Sequence, residues 1–163
     1  SVTAMKDPHE TGNLWSVKEG ESRKMCRMGQ AIKCNDVIRL EHANTAKNLH
    51  SDEYNAPLSS RREISGFGND GDGDSGDNWT ILCTNKEVGE LLQVKDTFYL
   101  FHTDSKRYLY ANRDVDFNRR NCGNCPILGQ LEVSGDQKQS NLAIWTIDGG
   151  VIFPETEDEE IPE

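Results

Sequence analysis

The sequence predicts an all-β protein: a β-trefoil with pseudo-threefold repeats, the first of them incomplete. Three observations carry this. Trp15, Trp79 and Trp145 fall 64 and 66 residues apart. The phrase IRLEHANTAKNL at 38–49 returns as YLFHTDSKRYL at 99–109, with His42/His102 and Leu49/Leu109 both offset by 60. No stretch holds an apolar 3.6-residue period for three turns, so almost no helix is expected. A period of this size that occurs three times reads as one structural unit built thrice.

Within a unit the elements follow in order. Ile38, Leu40 and His42 alternate with Arg39 and Glu41, the period-2 pattern of a half-buried strand. A polar turn at 44–47 follows, and the strand resumes at 48–50. The third unit has Tyr99 and Phe101, a turn at 103–106, then 108–110. A third strand carries Ile64 or Val133, in the phrases EISGF (63–67) and EVSGD (132–136), which SVTAM at 1–5 partly matches. A fourth carries Trp79 and Ile81, or Trp145 and Ile147. A lone hairpin is marginal in water. Packing the units about one axis would bury the three tryptophans together and remove open sheet edges. The units are taken as about 1–21, 22–84 and 85–153. The first lacks the hairpin phrase, so a closed trefoil calls for roughly 30 further residues ahead of Ser1. Residues 154–163, rich in Glu and Asp, are expected to be a disordered acidic tail.

A chain of 163 residues is expected to form one domain. Its net charge of −10 argues against nucleic acid, which needs a basic footprint. No run of 18 apolar residues marks a membrane span. Five cysteines are present. Cys34 precedes the first strand of unit two and Cys83 ends its last. Those strands are expected to be antiparallel neighbours, which pairs Cys34 with Cys83; the rival pairing is Cys26 with Cys34 across the Gly29 turn. Cys122 and Cys125 form a C-x-x-C read as a local loop disulfide. A lone C-x-x-C is a weak zinc signal, and a redox motif would open a helix in a βαβ unit. Two bonds and a leftover Cys26 suit an oxidising compartment.

Residues 68–77 are rich in Asp and Gly. Asp70, Asp72, Asp74 and Asp77 offer calcium-type oxygen ligands. From Asp70 the EF-hand template fails, with Ser75 at position 6 and Ile81 at position 12. The loop is therefore read as an acidic turn, with no metal and no cofactor expected. Asn78-Trp79-Thr80 is a glycosylation sequon whose middle residue is expected in the core. No nucleophile motif such as G-x-S-x-G occurs, and no catalytic residues are assigned. His42 and His102 are repeat-equivalent and read as structural. His50 is matched by Tyr110, so symmetry alone does not require it. With the neighbouring polar loop this places the functional surface at the second hairpin: Arg39, His42, Asn48, His50, Ser51 and Tyr54.

Residues 31–51, AIKCNDVIRLEHANTAKNLHS, resemble the middle repeat of the stromal cell-derived factor two family. So do APLSSRREISGFG at 56–68 and DNW at 77–79. The likeness spans about 1–153, although the hairpin reads Leu-His-Ser-Asp at 49–52 where the family has a second histidine. These are MIR-domain proteins, a module shared with protein O-mannosyltransferases and with inositol trisphosphate and ryanodine receptors. The resemblance implies a non-enzymatic protein of the endoplasmic-reticulum lumen or secretory pathway. Its implied role is that of a co-chaperone in protein folding and glycoprotein quality control, with an Hsp70-type chaperone and a J-domain protein as partners. The rival reading is a β-trefoil lectin for mannose-type or other glycans, with Tyr54 or Tyr110 as the aromatic face.

Overall fold

The computed structural model describes residues 1–7, 9–151 and 154. The acidic segment 155–163, expected to be a disordered tail, lies outside them. Ten strands run β1 (Thr3–Ala4), β2 (Trp15–Glu19), β3 (Val37–His42), β4 (Lys47–Asn55), β5 (Arg62–Phe67), β6 (Trp79–Cys83), β7 (Thr97–His102), β8 (Arg107–Asp116), β9 (Leu131–Asp136) and β10 (Trp145–Thr146). A four-residue helix, α1 (Arg119–Cys122), and three short 3₁₀ turns complete the described elements.

All pairings are antiparallel, and seven strands close a ring: β9–β5–β4–β3–β6–β7–β8 and back to β9. Strands β1, β2 and β10 attach to β9, β3 and β7. This corrects the β-trefoil expectation. A trefoil needs three equivalent hairpins, whereas the described residues contain two, β3–β4 and β7–β8. The first unit supplies only the short strands β1 and β2. Closure therefore falls to β8–β9 and β9–β5 within one seven-stranded barrel.

The repeat is nevertheless exact in register where it exists. His42 opposes Lys47 as His102 opposes Arg107, and Leu49 opposes Gly66 as Leu109 opposes Gly135. Both hairpin turns end on a left-handed residue, Ala46 (φ 51°) and Lys106 (φ 56°), which lets a four-residue loop reverse the chain. Inward alternation places Ile38, Leu49, Ile64, Ile81, Phe98, Leu100, Leu109 and Val133 in one core around Trp79.

The three tryptophans occupy matching positions but unequal burial. Trp79 is fully enclosed, whereas Trp15 and Trp145 are half-buried. The reason is lateral: β6 has β3 on one side and β7 on the other, whereas β2 and β10 each pair on one side only. Cys34 is bonded to Cys83 and Cys122 to Cys125, and Cys26 is a free, exposed thiol. The first bond ties the approach to β3 to the end of β6. On chain-entropy grounds a loop of this span restrains the unfolded chain by about 4 kcal/mol, and the C-x-x-C loop by about 2 kcal/mol.

Candidate functional site

The second hairpin has a buried base and an exposed arm. At the base, β4 buries Asn48, Leu49, His50 and Ser51 in succession, because the 3₁₀ turn Ser75–Asp77 packs over the outer face of the strand. His50 Nδ1 lies 2.9 Å from Asp77 Oδ1 and 3.6 Å from Asp74 Oδ1, and its ring stacks on Phe67 at 4.4 Å. The second Asp77 oxygen accepts from Asn48 Nδ2 (3.0 Å) and from the Asp74 backbone N–H (3.1 Å). Burial alone would push the His50 imidazole down. The hydrogen bond to Asp77 and the charges of Asp77, Asp74 and Asp52 outweigh it, so the pKa lies above its ordinary value.

This geometry decides the chemistry available to the cluster. His50, Asp74 and Asp77 each offer one atom within 4.8 Å of the others, which is metal-ligand spacing. His50 Nδ1 is the ring nitrogen that faces both carboxylates. Asp74 Oδ1 is already the acceptor for the Gly76 N–H at 2.8 Å. Through these contacts the three side chains tie the 3₁₀ turn to β4.

The other expected residues are also turned inward. Arg39 Nε donates to the Glu19 carbonyl (2.9 Å), and its Nη1 reaches the Gly71 carbonyl (3.3 Å). His42 bonds Thr45 Oγ1 and the Gly12 carbonyl, both at 2.9 Å, while its ring packs against Trp15. His102 repeats this with Ser105 Oγ and the Gly76 carbonyl, both at 2.8 Å, against Trp79. Each histidine thus pins its hairpin to the 3₁₀ turn of the preceding unit. Burial pushes the His102 pKa down, with the Gly76 carbonyl bond opposing. Ser51 Oγ donates to the Glu63 carbonyl (3.1 Å).

Tyr54 is the exception, at 71% exposure. The β4–β5 register breaks between Ser51 and Asn55, a bulge that throws residues 52–54 out of the ladder. Asp52 Oδ1 accepts from the Tyr54 N–H at 2.8 Å, and Arg62 Nη1 holds the Glu53 carbonyl. The third unit carries the same device: the register breaks between Ala111 and Asp116, and Asn112 Oδ1 accepts from the Asp114 N–H at 3.0 Å. The bulge is common to both repeats, and the aromatic side chain is specific to the second. Tyr110, the counterpart of His50, is buried with the Arg61 guanidinium 4.5 Å over its ring, so its face is not open to a sugar.

Sequence reasoning weighed Asp77 only as a calcium-type ligand of an acidic turn, and missed its buried role, Phe67 and the bulge. The signal for Asp77 was its place in Ser-Gly-Asp directly before Asn78-Trp79, the position where each unit makes a 3₁₀ turn. Asn78 of the sequon is buried, and its side chain meets the Glu21 backbone N–H (2.7 Å) and carbonyl (3.4 Å). A polar cleft of about 270 Å³ lies between 19–23 and 71–73, with Arg39 in its wall.

The chain is 35% identical over 158 residues to a stromal cell-derived factor 2-like protein of Dictyostelium discoideum, covering 95% of this chain and 68% of that protein. It belongs to the stromal cell-derived factor 2 family. The crystal structure of the SDF2-like protein from Arabidopsis thaliana superposes with a TM-score of 0.83 at 30% identity, covering 96% of this chain and 81% of that one. The S. cerevisiae protein O-mannosyltransferase Pmt1-Pmt2 complex, bound to the sugar donor, shares the fold. There the TM-score is 0.69 at 24% identity, over 86% of this chain and 19% of that one. No family model matches the chain.

Proposed function

We propose that this family member is a non-enzymatic binding module of the endoplasmic-reticulum lumen or secretory pathway. It acts as a co-chaperone that engages protein partners, an Hsp70-type chaperone and its J-domain protein among them, through the exposed arm of the second hairpin. The observation that carries this is Tyr54: an aromatic at 71% exposure on a bulge that follows a strand base held by buried polar contacts. Aromatics presented on a rigid base are the usual anchors of protein interfaces. The two disulfides agree with an oxidising compartment. No helix among the described residues is long and apolar enough to cross a membrane. His42 and His102 pin their hairpins and His50 holds Asp77, so the reading assigns them support of this surface and no catalytic step.

The test is binding of the purified chain to a luminal Hsp70-type chaperone and a J-domain protein, alongside suppression of aggregation of a reduced, unfolded client. Tyr54→Ala should weaken partner binding by roughly tenfold with Tm unchanged. Undiminished binding by that variant removes the arm from consideration, and no binding to either partner removes the co-chaperone role.

Glycan recognition is the second reading, favoured by the polar cleft beside Arg39 and by a fold shared with a mannosyltransferase assembly. It is the weaker one. The residues lining that cleft include no aromatic, and Tyr110 is covered. Titration with mannose and short mannosides, lost on Arg39→Ala, would reverse the preference.

A further inference from the structure

The third unit carries an insertion that the barrel does not need. In the second unit the corner from β4 to β5 closes with the Ala56 N–H on the Arg61 carbonyl (2.7 Å) and the Ser60 N–H on the Ala56 carbonyl (3.1 Å). The third unit makes the same closure from β8 to β9. There the Phe117 N–H meets the Gln130 carbonyl (2.9 Å) and the Gly129 N–H meets the Phe117 carbonyl (2.7 Å). Ser60 and Gly129 take the same left-handed backbone, φ 56° and 83°. Between these matched closures stand residues 57–59 in one repeat and 118–128 in the other. The additional residues bring α1 and the Cys122–Cys125 disulfide.

That disulfide does little to hold the molecule. Its loop is the shorter of the two by far, spanning a sequence separation of 3 against 49, so it restrains the unfolded chain least. Neither of its cysteines belongs to the core. Both are partly exposed, and Arg119, Arg120 and Asn121 before them, with Gly123 and Asn124 between them, are exposed. A side chain at Gly123 would meet nothing within 4 Å, so the approach to the bond is open. Arg119 stands three residues before Cys122 in α1, the neighbour spacing on a helix. Cys34, by contrast, is buried at 3% exposure beside the core.

We propose that Cys122–Cys125 is a thiol–disulfide exchange site for cysteine thiols of partly folded polypeptides. A substrate thiolate attacks Cys125 Sγ. The new substrate–Cys125 bond replaces Cys122–Cys125, and Cys122 leaves as the thiolate. A second substrate thiol, losing its proton to solvent, attacks the substrate sulfur and expels Cys125 as a thiolate. The substrate dithiol is oxidised to a disulfide by two electrons, and the protein disulfide is reduced to a dithiol. A disulfide of the oxidised-glutathione class returns the protein to its starting form. The site does not depend on the Tyr54 surface.

The experiment uses the chain with Cys26→Ser, which removes the free thiol, and a model peptide bearing two reduced cysteines. After incubation the mixture is quenched with an alkylating reagent and mapped by mass spectrometry. The expected result is one peptide disulfide formed per protein, with Cys122 and Cys125 alkylated and Cys34 and Cys83 still blocked. Exchange at the first pair should be at least tenfold faster than at the second. The double variant Cys122→Ser, Cys125→Ser should lose peptide oxidation while keeping its tryptophan fluorescence and cooperative unfolding. The proposal is overturned if Cys122–Cys125 stays intact while the peptide remains reduced. It is equally overturned if the bond opens only together with Cys34–Cys83, or if the double variant still oxidises the peptide.

Discussion

Trp79 donates its indole N–H to the Leu49 carbonyl at 2.9 Å, a bond made across the core from one strand of the second unit to another. Trp145 makes the same bond to the Leu109 carbonyl at 2.9 Å in the third unit. The tryptophan is thus both the apolar filler of a unit and a side-chain donor to the backbone of its hairpin strand. The equivalence is chemical as well as positional. What differs is the enclosure, since β10 pairs on one side and β6 on two.

This sets a graded stability prediction. Trp79→Ala removes a fully buried indole and its hydrogen bond to the Leu49 carbonyl, and should cost about 3–5 kcal/mol, the upper range for large-to-small core changes. Trp145→Ala makes the same chemical change at a half-exposed position and should cost measurably less. Equilibrium denaturation of the two variants gives the comparison directly, and equal losses would contradict the enclosure argument.

Gly12 and Gly76 form a second matched pair. Each lies three residues before its tryptophan and accepts from a hairpin histidine, His42 or His102. Their surroundings differ. A Cβ on Gly12 would meet nothing within 4 Å, whereas one on Gly76 would sit 2.4 Å from His50 Cε1 and 2.8 Å from His50 Nδ1. Gly76→Ala should displace the buried imidazole from Asp77 and destabilise the protein by roughly 1–3 kcal/mol, as overpacking does. Gly12→Ala should change stability by less than about 0.5 kcal/mol. Thermal melts of the two single variants test it, and similar Tm shifts would count against a tight His50 seat.

The all-β class and the hairpin positions were legible because a 60-residue offset anchored on His42/His102 and Leu49/Leu109 needs no three-dimensional information. The Cys34–Cys83 contact was legible for a related reason: two neighbouring antiparallel strands bring their ends together. The closure of the barrel was not. It depends on which strands flank β9, and a repeat count says nothing of that when one unit contributes only β1 and β2. At the site, the residue types were visible and their orientation was not. Residues 68–77 read as a solvated acidic turn, yet Asp77 is fully buried and organises Asn48 and His50. One inward carboxylate among several outward ones leaves no trace in composition.

The two disulfides should separate in their effect on stability. Replacing Cys34 and Cys83 by Ser frees the larger loop and exposes the approach to β3, at a cost of about 4 kcal/mol. Replacing Cys122 and Cys125 opens a loop outside the core and should cost no more than about 2 kcal/mol. Urea titrations of the two double variants would show this as a clear difference in midpoint at similar slope. A larger loss from the C-x-x-C pair would mean that the inserted loop supports the barrel after all.

The His50–Asp77 pair makes stability depend on pH with a definite sign. The folded state raises the His50 pKa, so it holds that proton more tightly than the unfolded chain does. The stabilisation is therefore fully present below the unfolded histidine value of about 6.5 and is lost as pH rises through the higher folded value. His102 works in the opposite direction. Its pKa is pushed down by burial, so its contribution is present above about 6.5 and is lost as pH falls through the lower folded value. The two histidines can be separated by His50→Gln, whose amide can still donate to Asp77 but does not titrate. The stability gap between wild type and His50→Gln should be widest below pH 6.5 or so and narrow steadily towards alkaline pH. Denaturant titrations at half-unit pH steps from 5 to 9 measure it. A gap that stays constant would mean that His50 is held as a neutral hydrogen-bond donor. A gap that widens with rising pH would mean that burial, not Asp77, governs the ring.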